Sequence, residues 1–148
     1  MFFLRTFAGL LIGGAVFLTG FPFALVAGLP GEAVGGSVKD LQEHSKAMVK
    51  DAEDMVAHGG MGDAKAIVHH CREVTKHAES ILKALPPADS HGKEAAAHLQ
   101  EAIRHCQRVA SMGDKVDPGA SLNPATKARA AVREAAKHIA AIKDEAAQ

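Results

Sequence analysis

From Val38 to Ile142 the apolar residues recur at intervals of three and four, the spacing that gathers them on one face of a helix. Four stripes emerge. The first holds Leu41, Met48, Ala52 and Met55, and the second Ile67, Cys71, Val74, Ala78, Ile81 and Leu85. The third holds Ala95, Leu99, Ala102, Ile103, Cys106 and Ala110, and the fourth Ala128, Val132, Ala135, Ile139 and Ile142. Between the stripes stand helix start and stop signals. Ser37, with Asp40 three residues on, predicts a capped start for a helix that runs to about His58 and ends at Gly59-Gly60. Asp63 caps a second helix that reaches Leu85, before Pro86-Pro87. Ser90 caps a third, which ends near Met112 before Gly113. A longer loop through Asp117-Pro118-Gly119 then leads to Asn123-Pro124, read as N-cap and first residue of the fourth helix. Four helices of similar length, joined by two short loops and one longer one, predict an all-α, up-down-up-down four-helix bundle over residues 34–148.

The pattern changes at the N-terminus. Arg5 is the only charge between Phe2 and Pro30, and the apolar run Phe7 to Val26 is followed by the small residues Ala27 and Gly28. Residues 1–30 read as an export signal cleaved between Ala24 and Ala33, which implies a periplasmic or otherwise exported mature protein. The rival reading is an uncleaved anchor, and only then does the chain contact a membrane.

Composition sharpens this picture in two ways. All six Phe lie before Pro30 and the chain has no Tyr or Trp, so the bundle core must be built from small and aliphatic side chains that let backbones approach closely. The formal charge is zero with His neutral, which gives no electrostatic basis for binding nucleic acid. Histidine is the unusual residue: there are nine, all after residue 43.

On helical wheels the histidines are not scattered. His44, Asp51 and His58 flank the first apolar stripe, and His70 and His77 flank the second on the same side. His91, His98 and His105 flank the third and His138 the fourth, again on that side and mostly in steps of seven; only His69 points elsewhere. In an antiparallel pair, like flanks face each other. Reflection through the Gly59–Gly62 turn pairs His44 with His77, Asp51 with His70 and His58 with Asp63. Reflection through Pro86-Pro87 instead pairs His77 with His98 and His70 with His105. Bundle handedness decides between the two.

Converging imidazoles and carboxylates suit divalent transition metals, with Cu2+ first in the general affinity order and Ni2+ and Zn2+ also accommodated. Carboxylates one turn away add chelating pairs at Asp40/His44, Glu73/His77, Glu94/His98, Glu101/His105 and Glu134/His138. The expected function is binding, buffering or sequestration of such ions. No nucleophile–base pair stands out, so no enzyme is expected. Two other readings remain open: a b-type haem bundle with Met and His axial ligands, and a structural or partner-binding bundle without ligand. The oligomeric state is not specified by the sequence.

Four segments carry a family resemblance: EHSKAMVKDAEDMVAHG (Glu43–Gly59), HHCREVTKHAESILKAL (His69–Leu85), KEAAAHLQEAIRHCQRV (Lys93–Val109) and AAVREAAKHIAAI (Ala130–Ile142). The chain resembles the bacterial small metal-binding protein family over Val38 to Ile142. That resemblance implies an exported four-helix bundle whose heptad-like His motifs take several divalent metals, notably copper. It implies metal-binding roles for His44, His58, His70, His77, His91, His98, His105 and His138. The chain departs from the family pattern in its histidine-poor last helix and in its two cysteines.

Cys71 and Cys106 occupy core positions that mirror each other across Pro86-Pro87, each directly after a His. In an exported protein a disulfide between them is the expectation. A thiolate pair binding Cu+ is the alternative.

Overall fold

In the computed structural model, which describes residues 37–113, 115 and 117–143, the chain forms α1 (Val38–Gly60), α2 (Ala64–Ala84), α3 (Ser90–Met112) and α4 (Pro118–Ala141). The expected export signal at residues 1–30 lies outside the described residues. Among those described, no helix is long and apolar enough to cross a membrane.

Every helix opens on a side chain that accepts from an otherwise unbonded backbone N–H. Ser37 Oγ accepts from the Asp40 N–H at 3.1 Å while the Asp40 carboxylate accepts from the Ser37 N–H at 3.2 Å, the full capping box. Asp63 accepts from the Ala66 N–H at 2.9 Å, Asp89 from the Gly92 N–H at 2.8 Å, and Asp117 from the Gly119 N–H at 3.1 Å. Two of these starts differ from the sequence expectation. The α3 cap is Asp89 rather than Ser90. The fourth helix begins six positions before the expected Pro124, because Asp117-Pro118 offers the same sequence of a capping side chain followed by proline. Pro124 then lies inside α4, buried in the core, where packing offsets the lost hydrogen bond. The α3–α4 connection is therefore short, like the other two. At the first turn α1 continues through Gly60, and the chain reverses at Gly62, whose φ of 83° needs a residue without Cβ.

Sequential helices pack against each other and α4 closes the ring on α1, with slight contact across the α2–α4 diagonal. The core is the four stripes turned inward. Leu41, Met48, Met55, Ile67, Val74, Ile81, Leu99, Val132 and Ile139 are buried among Ala52, Ala78, Ala95, Ala102, Ala125, Ala128 and Ala135. So many alanines at the centre bring the backbones together, as a core without aromatics requires. On α3 the stripe sits slightly rotated from expectation: Val109 is buried, Ile103 is half-buried and Ala110 is exposed.

Gly92 shows how tightly the second turn is drawn in. A Cβ there would stand 2.7 Å from the Pro86 carbonyl oxygen, a backbone atom that cannot swing aside. Alanine ordinarily stabilises a helix by about 1 kcal/mol over glycine. Gly92→Ala is expected to reverse that sign and lower the Tm. Gly60→Ala, with nothing within 4 Å of the added methyl, is expected to leave it unchanged or raise it. Paired thermal melts of the two variants check this.

Candidate metal centre

The ring order of the helices decides where the histidine flanks meet. The flank of α1 faces that of α2, and the flank of α3 faces that of α4. Two histidine seams result. The other two interfaces carry different chemistry.

In the α1–α2 seam, His44 and His77 meet Nδ1 to Nδ1 at 3.1 Å, one ring donating to the other, with ring centroids 5.4 Å apart. Two helical turns further along the reflection, His70 Nδ1 lies 3.0 Å from Asp51 Oδ1, and His77 Nε2 lies 3.8 Å from Asp51 Oδ2. Asp51 thus stands between two imidazoles, each half-buried. His58 stacks on His70 at 5.4 Å, and His69 touches His70 edge-on from an exposed position. The reflection through Gly59–Gly62 is the one realised for His44/His77 and Asp51/His70. Its third pair is corrected. Asp63 uses its carboxylate to cap α2, so His58 turns to His70 instead.

In the α3–α4 seam, His91 Nδ1 lies 3.3 Å from His138 Nδ1, and His98 stacks on His138 with centroids 5.7 Å apart. Glu94, one turn before His98, completes a cluster. One donor atom each from Glu94, His98 and His138 lie within 4.8 Å of one another. Further along α3, Glu101 lies 3.9 Å from His98 and 3.6 Å from His105, linking the two. Glu134 borders the same concavity as His98, Glu101 and His105. Its carboxyl is held below the usual range chiefly by the hydrogen bond from Lys137, with smaller contributions from His98 and His138.

The alternative reflection through Pro86-Pro87, which joins His77 to His98 and His70 to His105, is not the one the bundle uses. Core positions meet across that turn, whereas the flanks point away from it to α1 and α4. Not every acidic neighbour is free for an imidazole. Asp40 is held in the capping box with Ser37, and Glu73 lies 3.5 Å from the Lys76 ammonium. The pairing of His138 with His91 and His98 was not anticipated. A reflection through the short Gly113–Asp117 turn brings His91 opposite the last turn of α4, but that reflection requires α4 to start at Pro118.

The α1–α4 interface carries Glu53 between Arg129 and Arg133, the latter at 2.6 Å. The α2–α3 interface carries the cysteines. The structure holds Cys71 and Cys106 as free, buried thiols rather than the expected disulfide. They are neighbours, as their mirrored positions require. The Cys71 thiol is pushed far above its ordinary range, first by its hydrogen bond with Cys106, then by burial and by repulsion from a Cys106 thiolate. Cys71 Sγ also donates to Met55 Sδ at 3.0 Å.

Compared with known families, residues 23–142 match the family described as small metal-binding protein, which covers most of the chain. No curated protein matches it.

Proposed function

We propose that this chain, which belongs to the small metal-binding protein family, is an exported buffer for divalent transition-metal ions, held by its two histidine seams. The observation that carries this is the Glu94, His98 and His138 cluster, three donors from two helices converging on one point. Metal bonds of about 2.1 Å bracket donors no more than about 4.2 Å apart. Small side-chain rotations close the cluster onto an ion, and the half-exposed position leaves room for water as a further ligand. Three protein donors and an open coordination position suit an ion that is taken up and released rather than locked in. The α1–α2 seam offers a second set in His44, Asp51, His70 and His77, with His58 beside it. His91 and His105 extend the α3–α4 seam at its two ends. Imidazole and carboxylate donors favour Cu2+ ahead of Ni2+ and Zn2+ by the general affinity order.

The haem reading gains no support. Met48 and Met55 are wholly buried in the core, Met55 against Cys71, while the imidazoles line the outer seams.

Calorimetric titration of the protein from Ala33 onward tests the proposal. Micromolar or tighter Cu2+ binding is expected at neutral pH. Metal and proton compete for the same imidazole nitrogen, and free imidazole titrates near pH ~6.5. The apparent affinity is therefore expected to be fully developed above that pH and to fall steadily below it, with protons released on binding. No binding at 100 μM metal, roughly −5.5 kcal/mol on the affinity scale, contradicts the proposal.

A further inference from the structure

Among the described residues, the histidine seams leave a cluster of metal-ligating side chains unused. Met55 of α1, Cys71 of α2 and Cys106 of α3 bring three sulfurs from three helices to one place in the core. Cys71 Sγ stands 3.0 Å from Met55 Sδ, and Cys106 is buried on the facing helix α3, close enough to raise the Cys71 thiol. All three residues are at most 1% exposed. Their surroundings are the aliphatic core, and the two buried hydroxyl residues, Ser45 and Ser121, lie elsewhere on α1 and α4. The imidazoles adjacent in sequence, His70 and His105, turn outward, to Asp51 and Glu101.

We propose that Met55, Cys71 and Cys106 form a sulfur-only site for one soft monovalent cation of the Cu+ or Ag+ class, separate from the divalent seams. Thiolate and thioether donors select such soft ions, and imidazole suits Ni2+; Zn2+ also takes thiolates, so charge is what separates it from a monovalent ion here. Binding replaces an S–H bond by a sulfur–metal bond and releases that proton to solvent. A monovalent cation with one thiolate is neutral, and the thioether adds no charge, so the pair avoids the cost of an unbalanced buried charge. A divalent ion leaves a net charge in the apolar core unless both thiols ionise. Because the site is enclosed, the ion enters only when the helices part. Loading is slower than at the seams, and so is loss.

The test uses reduced full-length protein with both thiols confirmed by a thiol reagent, titrated anaerobically with Ag+ alone, which undergoes no redox change. One equivalent is expected to bind slowly with a new ultraviolet thiolate-to-metal absorption and with release of one proton per ion. Cys71→Ser with Cys106→Ser is expected to abolish that equivalent. Met55→Leu keeps the core volume and is expected to weaken it by ~10-fold or more, the lower range for losing a partner at a metal site. His98→Ala with His138→Ala, which removes two seam donors, is expected to leave it intact, so the sulfur site and the seams fail or stand separately. If the reduced protein takes up no more Ag+ than the double serine variant, the sulfurs are core packing and the proposal is overturned. It is equally overturned if Cys71 and Cys106 close to a bridge that persists under mild reductant with Ag+ present.

Discussion

Replacing His98 and His138 together by alanine is expected to lower the affinity of the α3–α4 seam for Cu2+ by more than ~100-fold, since losing even an outer partner of a metal ligand costs about 10–100-fold. The double variant leaves Glu94 as the lone donor of its cluster. His91 loses its partner at 3.3 Å as well. The fold is not at risk, because both side chains lie on the flank rather than in the core. Titration should therefore lose the α3–α4 class of sites and retain the α1–α2 class. His69→Ala is the control. That residue is exposed and meets His70 edge-on from outside the seam, so the variant should bind like the parent. Equal losses in the two variants contradict a site located by seam geometry.

The second large effect concerns stability. Leu99 is wholly buried at the centre of α3 and is among the largest side chains in a core made mostly of alanine and valine. Leu99→Ala is expected to cost about 3–5 kcal/mol, a large part of the roughly 5–15 kcal/mol that holds a domain folded. The Tm of metal-free protein should fall on the order of 10 °C or more. Met61, 71% exposed in the first turn, is the comparison, and Met61→Ala should change stability by less than about 0.5 kcal/mol. Circular dichroism melts in the presence of a chelator measure both without the contribution of bound metal.

The bundle was legible in the sequence because its signals are local and redundant. Leu41, Met48, Ala52 and Met55 mark the inner face of α1 by spacing alone, and Ser37 with Asp40 marks its start by a reciprocal hydrogen bond that needs only those two residues. The start of α4 was misread because Asp117-Pro118 and Asn123-Pro124 present the same signal six residues apart. The deciding factor is tertiary: Ser121, Pro124 and Ala125 are buried against the neighbouring helices, which a wheel cannot show. The shared side of the histidine rows followed from heptad steps. Which neighbours share a seam depends on bundle handedness, a property of the assembled ring. Once the ring is closed, the pairs His44/His77 and Asp51/His70 fall where reflection through the first turn puts them. His58 departs because Asp63 is engaged at the α2 N-terminus, a competition visible only when cap and seam are considered together. The cysteines met as their mirrored positions require, yet as thiols, since spacing fixes proximity and not oxidation state.

The most direct test of seam binding is to locate the ions. Crystals of the protein loaded with Cu2+ at neutral pH, measured at the copper absorption edge, should show an anomalous peak between Glu94, His98 and His138. A second peak is expected in the α1–α2 seam beside Asp51, His70 and His77. Density confined to other surfaces, or an absence of peaks at both seams under saturating copper, would contradict the account.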